Sequence, residues 1–200
     1  DIRPSESACP ISTGLQVTDS TLENDYYLVT IDSNGDISSV YDKVNGKELL
    51  SAPSRLEILN DNSTSWPSWE IMYTNVNSPP KAYVSGPAEI EIVENGPARI
   101  ALQIKRKVLG SAFKQTIRLT AGDDEQRVDV DNKVDWYTKA ANLKASFPLA
   151  VSNPKATYDL GLGTIERGNN TSSLYEVPAQ QWADLTDTAG DYGVSILNDC

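Results

Sequence analysis

Two hundred residues are enough to bury a sizeable core, and a formal net charge of −11, from 17 basic and 28 acidic side chains, repels nucleic acid and anionic membrane surfaces. No run approaches the roughly 18 consecutive apolar residues that a membrane helix needs, and no basic segment leads into an apolar one at the amino terminus. The chain therefore reads as soluble, with any export signal absent or removed. It has no histidine, which excludes Ser-His-Asp and Cys-His nucleophilic machinery and histidine-ligated zinc or iron, and leaves carboxylates, tyrosines, lysines and arginines for any chemistry.

Residues 1–20 are rich in Pro, Ser and Thr and read as a lead-in; residues 21–200 read as one domain. Cys9 and Cys200 sit near the two ends and read as free thiols, which leaves the compartment open. Period-two alternation begins at Tyr26–Ile31 and resumes at Ile37–Tyr41, with Asn34-Gly35 between them; Asn-Gly at that place predicts a type I′ hairpin, whose central residues both need positive φ. Asn45-Gly46 repeats the signal. Arg55–Leu59 predicts a short strand, and Asn60–Trp69 a loop that carries Trp66 and Trp69.

Further on, Glu89–Glu94 alternates, Asn95-Gly96-Pro97 turns the chain, and Ile100, Leu102 and Ile104 place one apolar face on the returning strand. Phe113–Leu119 continues the meander. Val128, Val130, Val134 and Trp136 then point one way, and Asp129, Asp131, Lys133 and Asp135 the other. No segment of ten or more residues carries an amphipathic helical stripe. The expectation is an all-β, antiparallel β-sandwich with few or no helices.

Glycosidic hydrolysis usually needs two carboxylates facing the scissile oxygen, and with 28 acids the candidate pairs are too numerous to choose among. The most interesting single carboxylate is Glu166 in Gly163-Thr-Ile-Glu-Arg167, where a Gly-bounded loop with an adjacent arginine would present it at a rim. Structural salt bridges by Glu166 and Arg167 are the plainer alternative. Trp66, Trp69 and Tyr73 around a Pro-containing loop, and Trp182 further on, either fill a core or interface or stack on the apolar face of a neutral sugar. Asp123–Glu125 with Asp129, Asp131 and Asp135 would supply oxygens for calcium, although alternating acids on a strand are usually its solvated face. Asn62, Asn169 and Asn170 head glycosylation acceptor triplets of the kind that arise by chance.

An ordered series of blocks carries a family resemblance: Leu22–Ile31, Gly35–Lys43 and Gly46–Leu50, then Ala145–Leu149, Asn153–Tyr158, Gly163–Arg167, Glu176–Asp184 and Tyr192–Asp199. In that order they resemble the β-sandwich of family 38 glycoside hydrolases, the α-mannosidase family, particularly its bacterial members. The resemblance implies a galactose mutarotase-like supersandwich fold. It implies a parent that hydrolyses terminal α-mannosides with an aspartate nucleophile and a zinc ion, both held in an amino-terminal α/β barrel that nothing here matches. No catalytic residue and no metal ligand carries over to this chain, and the implied partner is the missing barrel. Sugar epimerases of related fold resemble a histidine–glutamate partnership that this chain cannot supply. The end at Cys200, just past the strand-like Tyr192–Leu197, is expected to truncate the sandwich and leave an open sheet edge for self-association. Two other roles stay open, a self-standing carbohydrate-binding module and a structural or oligomerisation domain.

Overall fold

The computed structural model describes residues 7, 11–122 and 126–199; Cys9, Cys200 and the acids Asp123–Glu125 lie outside them. Strands β1 (Gln16–Val17), β2 (Thr21–Glu23), β3 (Tyr27–Ile31), β4 (Ile37–Asp42) and β5 (Lys47–Glu48) form a five-stranded sheet in sequence order. Then come β6 (Arg55–Asn60), a single four-residue helix α1 (Tyr73–Val76) and β7 (Ala82–Tyr83). Strands β8 (Glu89–Asn95), β9 (Arg99–Val108), β10 (Ser111–Thr120) and β11 (Asp129–Asp135) make a four-stranded meander. Strand β12 (Ala141–Ser146) returns to pair with β6. The last sheet has the order β14-β13-β15-β16, from β13 (Lys155–Asp159), β14 (Thr164–Gly168), β15 (Trp182–Thr186) and β16 (Gly193–Leu197). The named strand pairs are antiparallel, so the all-β antiparallel expectation holds. No helix among the described residues is long and apolar enough to cross a membrane.

Two compact units result, one within Asp1–Lys47 and Ser85–Tyr137, the other within Glu48–Val84 and Thr138–Cys200. In the first, β1 and β2 lie against β8, β9 and β10. Leu22, Val29, Ile31 and Val40 from one sheet are buried together with Ile100, Leu102, Ile104, Phe113, Ile117 and Leu119 from the other. Each such side chain contributes about 1.5–3 kcal/mol on burial. The strict alternation of β9 and β10 places these residues on one face and Lys105, Lys107, Lys114 and Arg118 on the other. Val130 and Val134 sit opposite Ile117 and Phe113, on the side the sequence pattern assigns them, but on an edge strand that leaves them 37% and 36% exposed. Trp136 meets the Phe113 ring edge-on, with centroids 6.3 Å apart.

The hairpin between β3 and β4 departs from the expected type I′ turn. Gly35 takes φ 81°, but Asn34 is not among the residues with positive φ. The Asp32 side chain decides the geometry: its Oδ1 accepts the backbone N–H groups of Asn34 (2.8 Å) and Asp36 (3.1 Å), while Gly35 N–H donates to the Asp32 carbonyl at 2.9 Å. That side-chain turn consumes an extra residue, and the register shifts between Thr30 and Ile31. Two consecutive positive-φ residues occur instead between β9 and β10, at Leu109 (φ 48°) and Gly110 (φ 84°).

In the second unit the three-stranded sheet β12-β6-β7 carries the core. Leu56, Ile58, Leu59 and Val84 are buried there, with Leu50 bridged to Leu149. The β13–β16 sheet buries no residue completely, and Leu162, Leu174 and Leu197 around it are exposed.

Candidate functional site

The Gly163–Arg167 stretch is a strand rather than a loop: Thr164–Gly168 is β14, paired antiparallel with β13. The correction has a simple origin, since Thr164-Ile165 favour extended backbone and Tyr158 offers Ile165 a cross-strand partner. Consecutive strand residues alternate faces, so Glu166 and Arg167 project to opposite sides of the sheet. Glu166 is exposed and pairs loosely with Lys155 at 3.4 Å. Arg167 is half-buried, and its Nε has no hydrogen-bond partner among the described residues. Glu166 shares its face with Thr157, Asp184 and Ser195. Asp184 stands two strands away and is already occupied, accepting hydrogen bonds from Thr186 (2.7 Å) and Ser195 (2.8 Å). Among the described residues no facing pair of free carboxylates of the kind glycosidic hydrolysis uses is built around Glu166.

Trp66 and Trp69 occupy the loop after β6, where the sequence places them, and both face solvent, 59% and 83% exposed. Their ring centroids are 5.9 Å apart with planes tilted by 30°. The loop is tied down from beneath. Buried Ser63 donates its Oγ hydrogen to Glu70 Oε2 at 2.6 Å and accepts the Trp66 N–H at 3.3 Å. The Trp66 carbonyl accepts from Trp69 N–H (3.0 Å) and Glu70 N–H (2.9 Å). Asn75 in α1 donates its side-chain amide to Asn62 Oδ1 at 2.9 Å. Trp182 is half-buried on β15, opposite Leu197.

Of the groups beside this loop, the sequence pattern picks out Tyr73 but not the residues it meets. The Tyr73 and Tyr175 rings approach to 5.2 Å, and the next residue, Glu176, adopts φ 52° and forms an ion pair with Lys144 on β12. On the same sheet face Lys144 is opposite Glu57 and Glu57 opposite Tyr83, whose ring lies 5.1 Å from the Arg55 guanidinium. These pairings join positions many residues apart, and no local spacing announces them.

Of the acids that would supply oxygens for calcium, Asp123–Glu125 lie outside the described residues and Asp135 is exposed. Asp129 pairs with Arg127 at 3.0 Å and Asp131 with Arg118 at 3.5 Å. Among the described residues no group of three or more His, Cys, Asp or Glu side chains is arranged to hold a metal. A cleft in the first unit bordered by Gly14, Asn24, Tyr26 and Thr120 has about 10 Å³ of room, enough for one water and not for a sugar.

The family model for the C-terminal domain of glycosyl hydrolases family 38 matches residues 22–200. The chain belongs to that family. Alpha-mannosidase G of Dictyostelium discoideum is 30% identical over 91% of this chain, and alpha-mannosidase 2C1 of Mus musculus 29% identical over 93%. The family 38 chain spans only 17% and 18% of the length of those two relatives. Among solved structures, an alpha-mannosidase from Enterococcus faecalis V583 superposes with a TM-score of 0.70 at 19% identity, covering 98% of this chain and 25% of its own. A second family 38 protein from Enterococcus faecalis gives 0.73 at 17% identity and 26% of its length. These superpositions support the fold that the block order implies.

Proposed function

We propose that this chain is a non-catalytic β-sandwich portion of an α-mannosidase-like glycoside hydrolase, which buttresses the catalytic barrel of its parent. One observation carries the reading: the C-terminal family model takes in residues 22–200, while the whole chain answers to less than a fifth of the α-mannosidases it matches. The chemistry of the donor set agrees. With no histidine in the chain and no metal-holding cluster among the described residues, the side chains present do not fit a family-type zinc site. On this reading the exposed Glu166 carboxylate, which among the described residues pairs only with Lys155, is a part of β14 able to accept a hydrogen bond from a sugar hydroxyl at the barrel's rim.

A proton NMR time course of the purified chain with zinc and a panel of α-linked mannobiosides tests the reading. Unchanged anomeric signals are expected. New anomeric peaks that persist through repurification would overturn it, since hydrolysis would then be running without the barrel.

A further inference from the structure

We infer that the loop carrying Trp66 and Trp69 is a binding site for a neutral oligosaccharide, formed by residues of this chain. Exposing two indoles side by side forfeits several kcal/mol of burial in a chain that buries smaller aliphatic residues completely. Such exposure is informative only where the rings are held in place, and here they are. Ser63, with its hydrogen bonds to Glu70 and to the Trp66 N–H, and the Asn75–Asn62 amide contact anchor the loop from its buried side. A site already ordered before binding loses little freedom when a ligand arrives.

The surroundings select the class of ligand. Thr64, Ser65 and Ser68 neighbour the two tryptophans in sequence, and all three are exposed with hydroxyls that have no hydrogen-bond partner among the described residues. Aromatic faces bordered by free hydroxyls match a pyranose, which offers an apolar C–H face and a rim of hydroxyl groups. The net charge of −11 disfavours sulfated or uronic acid glycans, and Glu70, the acid nearest the rings in sequence, is already engaged by Ser63. The ring centroids are 5.9 Å apart and the planes tilted by 30°, a span that suits stacking on one or two sugar units. Beyond the loop, Tyr73 with Tyr175, and Glu176 with Lys144, extend an aromatic and polar surface from α1 to β12.

Saturation-transfer difference NMR on the full 200-residue chain reads this directly, with α-1,2- and α-1,6-mannobiose and maltose as probes and a heparin disaccharide as the anionic comparison. Saturable transfer to at least one neutral disaccharide is expected, with none to the heparin disaccharide. Trp66→Ala and Trp69→Ala should each weaken the apparent Kd by about tenfold, and Trp69→Phe should restore part of the loss. Both rings are exposed, so far-UV circular dichroism of the variants should match that of the parent chain. Absence of transfer from every neutral probe, or equal transfer with the Trp66→Ala/Trp69→Ala double variant, would overturn the site; the rings would then be a surface for protein. Binding without new anomeric peaks leaves the non-catalytic reading standing, so the two proposals fail separately.

Discussion

Arg106 Nη1 lies 3.0 Å from Asp36 Oδ1, and both side chains are only 2% exposed. This is an ion pair inside the first unit, one partner on β9 and the other at the end of the β3–β4 turn. Arg106 Nε and Nη2 find no hydrogen-bond partner among the described residues, and burial holds the guanidinium below the usual arginine range despite the opposing pull of Asp36. Removing one partner leaves an uncompensated buried charge, so Asp36→Ala should cost about 3–5 kcal/mol. Pairing Asp36→Leu with Arg106→Met should recover most of that, because two apolar side chains leave no charge to solvate. Urea unfolding of the three proteins gives the comparison.

Leu109 should be an easy site to improve. It stands at φ 48° beside Gly110 at φ 84°, in the turn where two positive-φ residues are needed, and a leucine in that conformation costs about 1 kcal/mol that asparagine largely avoids. Leu109 is 48% exposed, so little packing is lost. Leu109→Asn should raise stability by up to about 1 kcal/mol, read as a higher Tm.

Gly35 should tolerate nothing larger. A Cβ there would sit 2.7 Å from Ile104 Cγ2 and 2.9 Å from Ala88 Cβ, at φ 81°. Gly35→Ala combines backbone strain with overpacking and should cost about 2–3 kcal/mol. The midpoint of urea unfolding should fall while its slope stays the same.

The turn between β15 and β16 should weaken in acid. The Asp187 carboxyl lies below the usual carboxylate range chiefly because it accepts the Asp191 backbone N–H at 3.0 Å. A depressed folded-state pKa means that its stabilisation is present above the unfolded value and disappears as pH falls through the folded one. Protection of the Gly193 and Tyr192 amides, taken relative to intrinsic exchange at the same pH, should therefore fall on acidification below the normal aspartate range. Asp187→Ala should show low protection at every pH and lose that dependence.

The outer face of the first unit carries Lys105, Lys114 and Lys133 directly opposite one another across three strands. Lys105 is satisfied by Glu89 and Glu91, each at 3.0 Å, whereas Lys114 sits between two like charges. Lys114→Glu would alternate the signs along that row. A rise in Tm of about one to two degrees at low ionic strength is expected, fading as salt is added.

What the sequence revealed of this molecule depended on how local each feature is. Alternation is written residue by residue, so β3, β4, β6, β8, β9 and β10 could be read directly, as could the side on which Ile100, Leu102 and Ile104 lie. Turn type was harder to read. Asn34-Gly35 carries the usual composition of a type I′ turn, but the Asp32 carboxylate imposes a different one, and Leu109-Gly110 adopts positive φ at both residues with a leucine that composition argues against. Trp66 and Trp69 were visible as a cluster on a loop, while their exposure depends on how Ser63 and Asn75 fasten that loop. Glu166 lies on a strand where its flanking glycines suggest a loop, because Thr164-Ile165 favour extended backbone. The Lys144–Glu176 contact spans 32 residues and is decided entirely by the folded arrangement.

Because the chain passes between the two units near residues 47, 84 and 137, neither unit is a continuous stretch of polypeptide. During synthesis β6 and β7 emerge before β8–β11 but must wait for β12, so the first unit has all its strands while the second is still half made. No single cut separates the two units, because any continuous stretch that holds all of one also carries part of the other.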